Sequence, residues 1–577
     1  MSQHWIVEGK VSSRWPLYTR SNIGEVFPEV LTPLTYHLAV KPAEAGWREA
    51  FAEMGILNKR DFQDEEPVII GCFGGYGYLS ISYLRLVGVR APGSSPEAID
   101  LSLFGEGNPP PYQAQKGDKS VVNGVKTLRY VLKALKVSGE PDHVADSRQL
   151  VAKWKAERPA LDAPDKELMA YLLRYPAKIQ QAFHNHMITT FTLSIVTGIL
   201  NDGAVAADSP ELITDLTAAV GDVASAAYSQ ALYEVAKIAQ KSPEVLAALD
   251  EGVSGVGERL AEIAEAKEFN QAFAEFIDEY GHRGPNDWEI SSRTWENTPE
   301  LAYAALNVMR KSDTDLGIAS RVSDADAKRD SAAAQIRPHL KLLDKGNFDK
   351  ALASVKVWSR AREATRDLCI QLHLPTRQVF FELARRGAER GGVENLRDVA
   401  MLDAKTELAE YLEDPTAFAD ILAERVALRD RFASVEPPFF INGQDEVPGI
   451  EELEQASAVA KDSQSAESPA DKVLNGDAGS GGVARGRARV VMDPSDPAKM
   501  EPGDVLVAPL TDPSWTPLFL PAAAVVVNVG ALMSHAVIVS RELGIPCAIA
   551  VQGATDRIPD GAMVEVDGTT GTVTILD

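Results

Sequence analysis

Apolar residues recur every three to four positions across most of the first 440 residues, and give way to short β-type runs bounded by turns over the last hundred. The first pattern predicts long helices at Lys166 to Leu200, Pro210 to Gln240, Ser242 to Tyr280 and Asp344 to Leu374. The second yields ARGRARVVM, GDVLVAP, AAAVVVNV, PCAIAV, AMVEVDG and GTVTIL, with helices after Ser514 and Ser534, a compact β/α domain of a size that folds alone. Between them, residues 443–482 are rich in Asp, Glu, Ser, Ala and Gly, with few large apolar residues outside a short helix near Ile450 to Val459. The expected architecture is therefore multidomain: a mainly α-helical domain over 1–442, a flexible linker over 443–482 and a C-terminal β/α domain over 483–577. About 40 flexible residues span a root-mean-square distance of roughly 35 Å, enough to swing one domain between two sites.

In the C-terminal domain, Gly530 to Ala550 reads GALMSHAVIVSRELGIPCAIA. Ser534 is a good N-cap, Val537, Ile538 and Leu543 form an apolar helical stripe, and Gly544 followed by Pro546 stops the helix. His535 then lies on the first turn, where unpaired backbone N–H groups and the positive end of the helix dipole favour an anion. Read locally, it is either a partly buried histidine in a β-turn-α unit or a carrier of a phosphoryl group.

Composition narrows the class. The chain has 577 residues, 45% of them hydrophobic, ample for two or three cores. A net charge of −25 opposes wrapping nucleic acid or docking on an anionic membrane, so any phosphate site must be built locally from arginines and helix termini. The longest apolar run, Met187 to Leu200, is too short to cross a bilayer, and the N-terminus has no signal-peptide pattern. Three scattered cysteines, Cys72, Cys369 and Cys547, lack metal-ligand spacing and read as free thiols in a reducing, cytoplasmic setting. No metal or cofactor site is expected on the chain itself. The glycine-rich run Gly479 to Arg489 lacks the helix and Lys-Ser/Thr of a P-loop.

The segment around His535 resembles the swivelling phosphohistidine domain of the PEP-utilising enzymes, written Gly-Gly-x-x-(Ser/Thr)-His-(Ala/Gly)-(Ala/Val) and followed by a helix and an apolar strand. Gly530, Ser534, His535, Ala536, Ser540 to Pro546 and Ala548 to Ala550 match, while Ala531 stands where a second glycine is usual. The resemblance implies that His535 is the phospho-acceptor, with Ser534 its hydroxyl neighbour. Further upstream, Asn22, Gly24, Glu25, Pro28 and Thr32 to Thr35 resemble the opening of the substrate domain in rifampicin phosphotransferase-like proteins. So does the Gly-His-Arg-Gly-Pro turn at Gly281 to Pro285, from which His282, Arg283 and Glu289 are candidate substrate-binding residues. Arg362 and Arg366 lie four apart on one helix face and want an anion or nearby carboxylates. Arg362 and Glu363 match the family's Arg-Glu-x-x-Lys, with Arg366 replacing the lysine, and the resemblance gives both arginines the transferred phosphoryl group.

Members of this family begin with an ATP-grasp domain, whereas this chain opens on the substrate-domain motif. The resemblance therefore implies a phosphotransferase subunit charged by a separate ATP-grasp subunit that binds ATP and Mg2+, as in phenylphosphate synthase-like systems, with AMP and phosphate as by-products. The expected acceptor is the hydroxyl of a small phenolic compound, with an aromatic pocket on the helix holding His184 and His186. Candidate bases are His282, His184, His186 and Glu289. A rifamycin-like antibiotic acceptor and a non-catalytic phosphocarrier are the alternatives.

Overall fold

The computed structural model describes residues 4–58, 61–62, 68–91, 94–104, 109–217, 224–311, 318–443, 447–464, 472–494, 500–530 and 534–576. A mostly helical N-terminal region precedes a C-terminal β/α domain. The helices that matter for the site are α1 (Lys41–Glu53), α2 (Val121–Ala134), α3 (Tyr175–Ala206), α4 (Lys267–Tyr280), α5 (Leu342–Glu389) and α6 (His535–Leu543). In the N-terminal region, β1 (Leu17–Thr19), β2 (Ile70–Phe73), β3 (Tyr76–Ser80) and β4 (Phe440–Asn442) form an antiparallel sheet ordered β2-β3-β1-β4. The helical pattern of the sequence does not show this sheet, whose strands are short and far apart in the chain.

The principal core lies where α1, α3 and α5 pack together around Trp47, Phe51, Ile188, Val355, Trp358 and Ile370. By length and composition the stretch Asp165–Ala206 is apolar enough to cross a membrane; in the structure α3 is a central helix of this core. Gly46 lets the backbones of α1 and α3 touch, because a Cβ there would lie 2.2 Å from the Gln180 carbonyl oxygen. α2 is turned the other way from an ordinary amphipathic helix. It buries Asn123, Thr127, Val131 and Ala134 and exposes Val121, Val125, Leu128 and Leu132. The Asn123 amide donates to the Gly55 carbonyl at 2.8 Å, so the inward polar face is satisfied.

Several expected helix boundaries shift. The helix expected to end at Leu374 continues through Pro375 to Glu389. Proline removes one donor, but Cys369, Ile370, Leu372, Val379, Phe380 and Leu383 are all buried on the two sides of it, and that packing outweighs the lost bond. The Ser242 to Tyr280 helix is instead three pieces, Pro243–Asp250, Val256–Ala261 and α4; the first break falls where Gly252 and Gly255 take positive φ, and a single turn at Ala264–Ala266 leads into α4.

The C-terminal domain contains β5 (Val473–Asn475), β6 (Asp477–Ser480), β7 (Val483–Val490), β8 (Val505–Ala508), β9 (Ala524–Val527), β10 (Cys547–Ile549), β11 (Met563–Asp567) and β12 (Thr572–Ile575). They form one mixed sheet ordered β5-β12-β11-β7-β8-β9-β10-β6, parallel from β7 to β10. The sheet thus claims residues 473–480, which the sequence pattern assigns to the linker. The helix Ile450–Gln464 also leaves the linker, docking on the N-terminal core through Ile450 and Leu453. The two domains meet where Val308 joins Trp515, Leu518 and Phe519, and where Leu520 packs on the cluster of Tyr228, Phe276 and Trp295.

Replacing Gly46 by Ala should lower the unfolding free energy by about 2 kcal/mol, the usual cost of overpacking a rigid contact, as read by urea denaturation. Replacing the exposed Leu128 by Lys should leave it unchanged within about 0.5 kcal/mol.

Candidate phosphohistidine site

α6 starts and stops on local chemistry. Ser534 has extended backbone, φ −71° and ψ 160°, and Gly544 closes the helix in the left-handed region at φ 64°, with the Ile545 N–H donating to the Ser540 carbonyl at 3.0 Å. Ser534 is N-cap by position only. Its hydroxyl caps nothing, and although the residue is buried its Oγ has no hydrogen-bond partner among the described residues. Ala531, the departure from the family turn, lies outside the described residues.

His535 is partly buried, its ring edge-on to Phe519 with centroids 5.6 Å apart. Nδ1 lies 3.0 Å from the Thr511 hydroxyl and Nε2 3.1 Å from the Thr516 hydroxyl. The order of donors sets the tautomer. Arg283 donates to the Tyr228 hydroxyl, which donates to Thr516 Oγ1 at 2.7 Å, leaving the Thr516 proton for Nε2. Nε2 therefore carries the lone pair and Nδ1–H points at Thr511. Burial, with Arg366 and Arg283 adding to it, holds the imidazole pKa well below its ordinary value, so the ring is neutral and nucleophilic at neutral pH.

Two acids lie against this turn. Glu25, on the short helix Ile23–Val26, accepts the His535 backbone N–H at 3.3 Å, and burial pushes its carboxyl up to about 7. Asp512 accepts from Ser514 Oγ and from the Asn286 N–H, and burial raises it to about 6 against those hydrogen bonds, with the charge of Asp287 adding to the rise. Glu25 and Asn286 belong to the N-terminal region, so the histidine turn is docked on that region here.

The structure gathers some of the sequence-derived candidates and separates others. Arg283 and Arg366 both act on His535, and Arg366 sits 3.9 Å from Asp287. Arg362 pairs with Glu363, and with Arg366 it faces His186, which burial and the two cations keep neutral while Thr365 contacts its Nδ1 at 3.2 Å. His282 is buried and bonded to Asp367 at 2.9 Å, and Arg283 reaches Asp287 at 3.1 Å and Asp367 at 3.6 Å. Phe183 packs edge-on against both His186 and Trp288, ring centroids 5.9 and 5.8 Å away, and all three side chains are buried.

Glu289 and His184 are not part of this constellation. The Glu289 carboxylate accepts from Thr32, Thr35 and Ser291, which ties the Thr-Pro-Leu-Thr turn to the loop. His184 instead meets Glu53 at 3.1 Å, with His143 on the same carboxylate, and its Nδ1 meets Asn185 at 3.1 Å. A cavity of about 800 Å³ lined by Pro33, His37, Lys41 and Asp403 contains none of the candidate residues. Among the described residues, no group of three or more His, Cys, Asp or Glu is arranged to hold a metal ion.

Sequence reasoning missed Thr511, Thr516 and Tyr228 around the ring, and the position of Glu25. The run Thr511-Asp-Pro-Ser-Trp-Thr516, dense in hydroxyls between a strand and a helix, was a usable signal; Tyr228 offered none. The arrangement also rests on Gly284, where a Cβ would lie 2.4 Å from the Arg293 carbonyl oxygen.

Asp367 is held well below the ordinary carboxylate range by His282 and Arg283, which outweigh its burial. Asp367→Asn should cost about 2 kcal/mol of stability at pH 7. A depressed carboxyl stabilises the fold above its unfolded pKa near 4 and loses that contribution only as pH falls through the lower folded value. The deficit should therefore persist from pH 7 to about pH 4 and shrink below it in denaturation curves.

Comparison with known proteins agrees with this geometry. Residues 182–366 match the rifampicin phosphotransferase fourth domain, and residues 500–571 match the PEP-utilising enzyme mobile domain. The chain is 26% identical to an uncharacterized protein of Mycobacterium tuberculosis over 98% of its own length and 62% of that protein's. It is 25% identical to the prodigiosin synthesizing transferase of Serratia marcescens, covering 97% of itself and 63% of the relative. A rifampicin phosphotransferase of Bacillus subtilis is 26% identical over 60% of this chain and 39% of that protein. The chain thus spans about three-fifths of the first two relatives. The histidine on the first turn of α6 and the two arginines that act on it thus lie in segments similar to the PEP-utilising enzyme mobile domain and to the rifampicin phosphotransferase fourth domain.

Proposed function

We propose that this chain is a cytoplasmic phosphotransferase in which His535 takes a phosphoryl group from an ATP-grasp unit, acting in trans with ATP and Mg2+, and delivers it to the hydroxyl of a small aromatic compound. The observation that carries the reading is the neutral His535, with its Nε2 lone pair fixed by Thr516 and with Arg283 and Arg366 close enough to act on it. Phosphoryl transfer asks the protein for positioning and for positive charge around the equatorial oxygens. The two arginines supply that charge, and the unpartnered Ser534 hydroxyl supplies a donor at the start of the helix. The buried aromatic side chains next to this constellation, Phe183 against His186 and Trp288 against Phe183, are the ground for preferring an aromatic acceptor. A rifamycin-like acceptor is the second reading, favoured by the match of residues 182–366 to a rifampicin phosphotransferase domain.

Incubation with phosphoramidate, which phosphorylates histidine without an enzyme, should give one acid-labile phosphate per chain in the wild type and none in His535→Ala. Labelling of the alanine variant to the same extent as the wild type would remove the reading. Arg366→Ala should accept the label yet pass it to an acceptor about 100-fold more slowly, a loss of about 2.7 kcal/mol of transition-state stabilisation. With ATP and Mg2+ alone the chain should remain unlabelled; label appearing without a second protein would show that the charging step needs no partner.

A further inference from the structure

We propose that Glu25 is the catalytic base of the transfer step, taking the proton from the acceptor hydroxyl as phosphoryl leaves His535. The inference rests on the phosphohistidine reading above and adds a residue to it. Every candidate base drawn from the sequence is accounted for elsewhere: Glu289 by three hydroxyl donors, His282 by Asp367, His184 by Glu53, and His186 by Thr365 and its cationic neighbours. Glu25 is the acid that reaches the histidine turn from the acceptor domain. One carboxylate oxygen is fixed on the His535 backbone N–H, and no other side-chain hydrogen bond to Glu25 is present among the described residues. It comes from a four-residue helix whose preceding residue, Asn22, is in the left-handed region at φ 63°. Gly24 beside it leaves room for the Arg20 guanidinium, which is itself spent on the Phe27 and Gly77 carbonyls.

The proton and electron balance closes. In phospho-His535 the phosphoryl group is on Nε2 and Nδ1 keeps its proton toward Thr511. The P–N bond breaks with its electron pair left on Nε2, a P–O bond forms to the acceptor oxygen, and the hydroxyl proton passes to the Glu25 carboxylate. The products are neutral His535 in its resting tautomer, protonated Glu25 and the phosphorylated acceptor, with the same total charge as the reactants. Arg283 and Arg366 act on the His535 ring, Asp287 pairs with both, Asp512 accepts the Asn286 N–H, and Arg20 lies against Gly24 on the Glu25 segment. A carboxyl titrating at about 7 can hold the proton briefly and release it when the domains part.

The test uses the full chain labelled at His535 with radioactive phosphoramidate and freed of excess reagent. Loss of label to water and to added phenol is followed from pH 5.5 to 8.5 in wild type, Glu25→Gln and Glu25→Asp. Glutamine keeps an oxygen able to accept the His535 N–H but cannot take a proton, so a purely structural Glu25 predicts wild-type behaviour. The expected result is a wild-type rate that rises with pH through about 7, a rate at least 100-fold lower and without that rise in Glu25→Gln, and a partly restored rise in Glu25→Asp. A parallel infrared measurement should show a protonated carboxyl band at pH 6 in wild type that is absent from Glu25→Gln, whatever the acceptor. Equal rates and pH profiles in wild type and Glu25→Gln, or no such band, overturn the assignment to Glu25 while leaving phospho-His535 intact. Failure of the wild type to take label overturns the phosphohistidine reading and this assignment with it.

Discussion

One buried guanidinium organises the acceptor side of the site. Arg377, on α5 two residues beyond Pro375, is 1% exposed and donates to the carbonyls of His282 and Glu289 at 3.2 and 2.9 Å, to the Asp287 carbonyl, and to Ser292 Oγ at 3.2 Å. Buried carbonyls without a partner are costly, and a loop of this length deep in a protein exposes several. Arg377 satisfies them from one planar fork, which a lysine could not do. The loop it fixes is the one that presents His282, Arg283, Asp287 and Glu289. The continuation of α5 through Pro375 is therefore a requirement of the site: a helix stopping at Leu374 would leave this arginine elsewhere.

From that loop the polarity is passed outward in pairs. Arg283 is held between Asp287 and Asp367 and raised above its ordinary value despite its burial, and its remaining donor capacity reaches Tyr228 and, through Thr516, the ring of His535. Among the described residues, Arg366 forms one ion pair, with Asp287 at 3.9 Å. In a chain with net charge −25, a cation can act on an outside anion only where it outlasts its internal partners, and these two arginines are paired to different degrees. Arg283 is mostly occupied and sets the tautomer, whereas Arg366 is the cation with charge to spare.

The limits of the sequence follow from range. The start and stop of α6 depend on residues within a dozen positions of His535, and both were legible. Glu25 meets His535 across 510 residues and Tyr228 meets Thr516 across 288, contacts that no periodicity encodes. The arginine pair on α5 was legible as a like-charged face, but its division of labour was not, because Asp287 arrives from another element. The strands β5 and β6 escaped for a different reason. Their residues, Val-Leu-Asn and Asp-Ala-Gly-Ser, have neither alternation nor β-branched density, and only pairing with β12 and β10 makes them strands.

Recovering those strands changes the mechanics of the swing. A 40-residue linker would let the histidine domain roam, but the helix Ile450–Gln464 is fastened to the N-terminal region by Ile450, Leu453 and the Glu454–Arg431 pair at 2.8 Å. What joins that helix to β5 is the eight residues 465–472, which even fully extended span at most about 28 Å. Among the described residues, the polar contacts at the docked face include Glu25 to His535, Asn286 to Asp512, Tyr228 to Thr516 and Arg293 to Asp493, and two of the acids in them have raised pKa values.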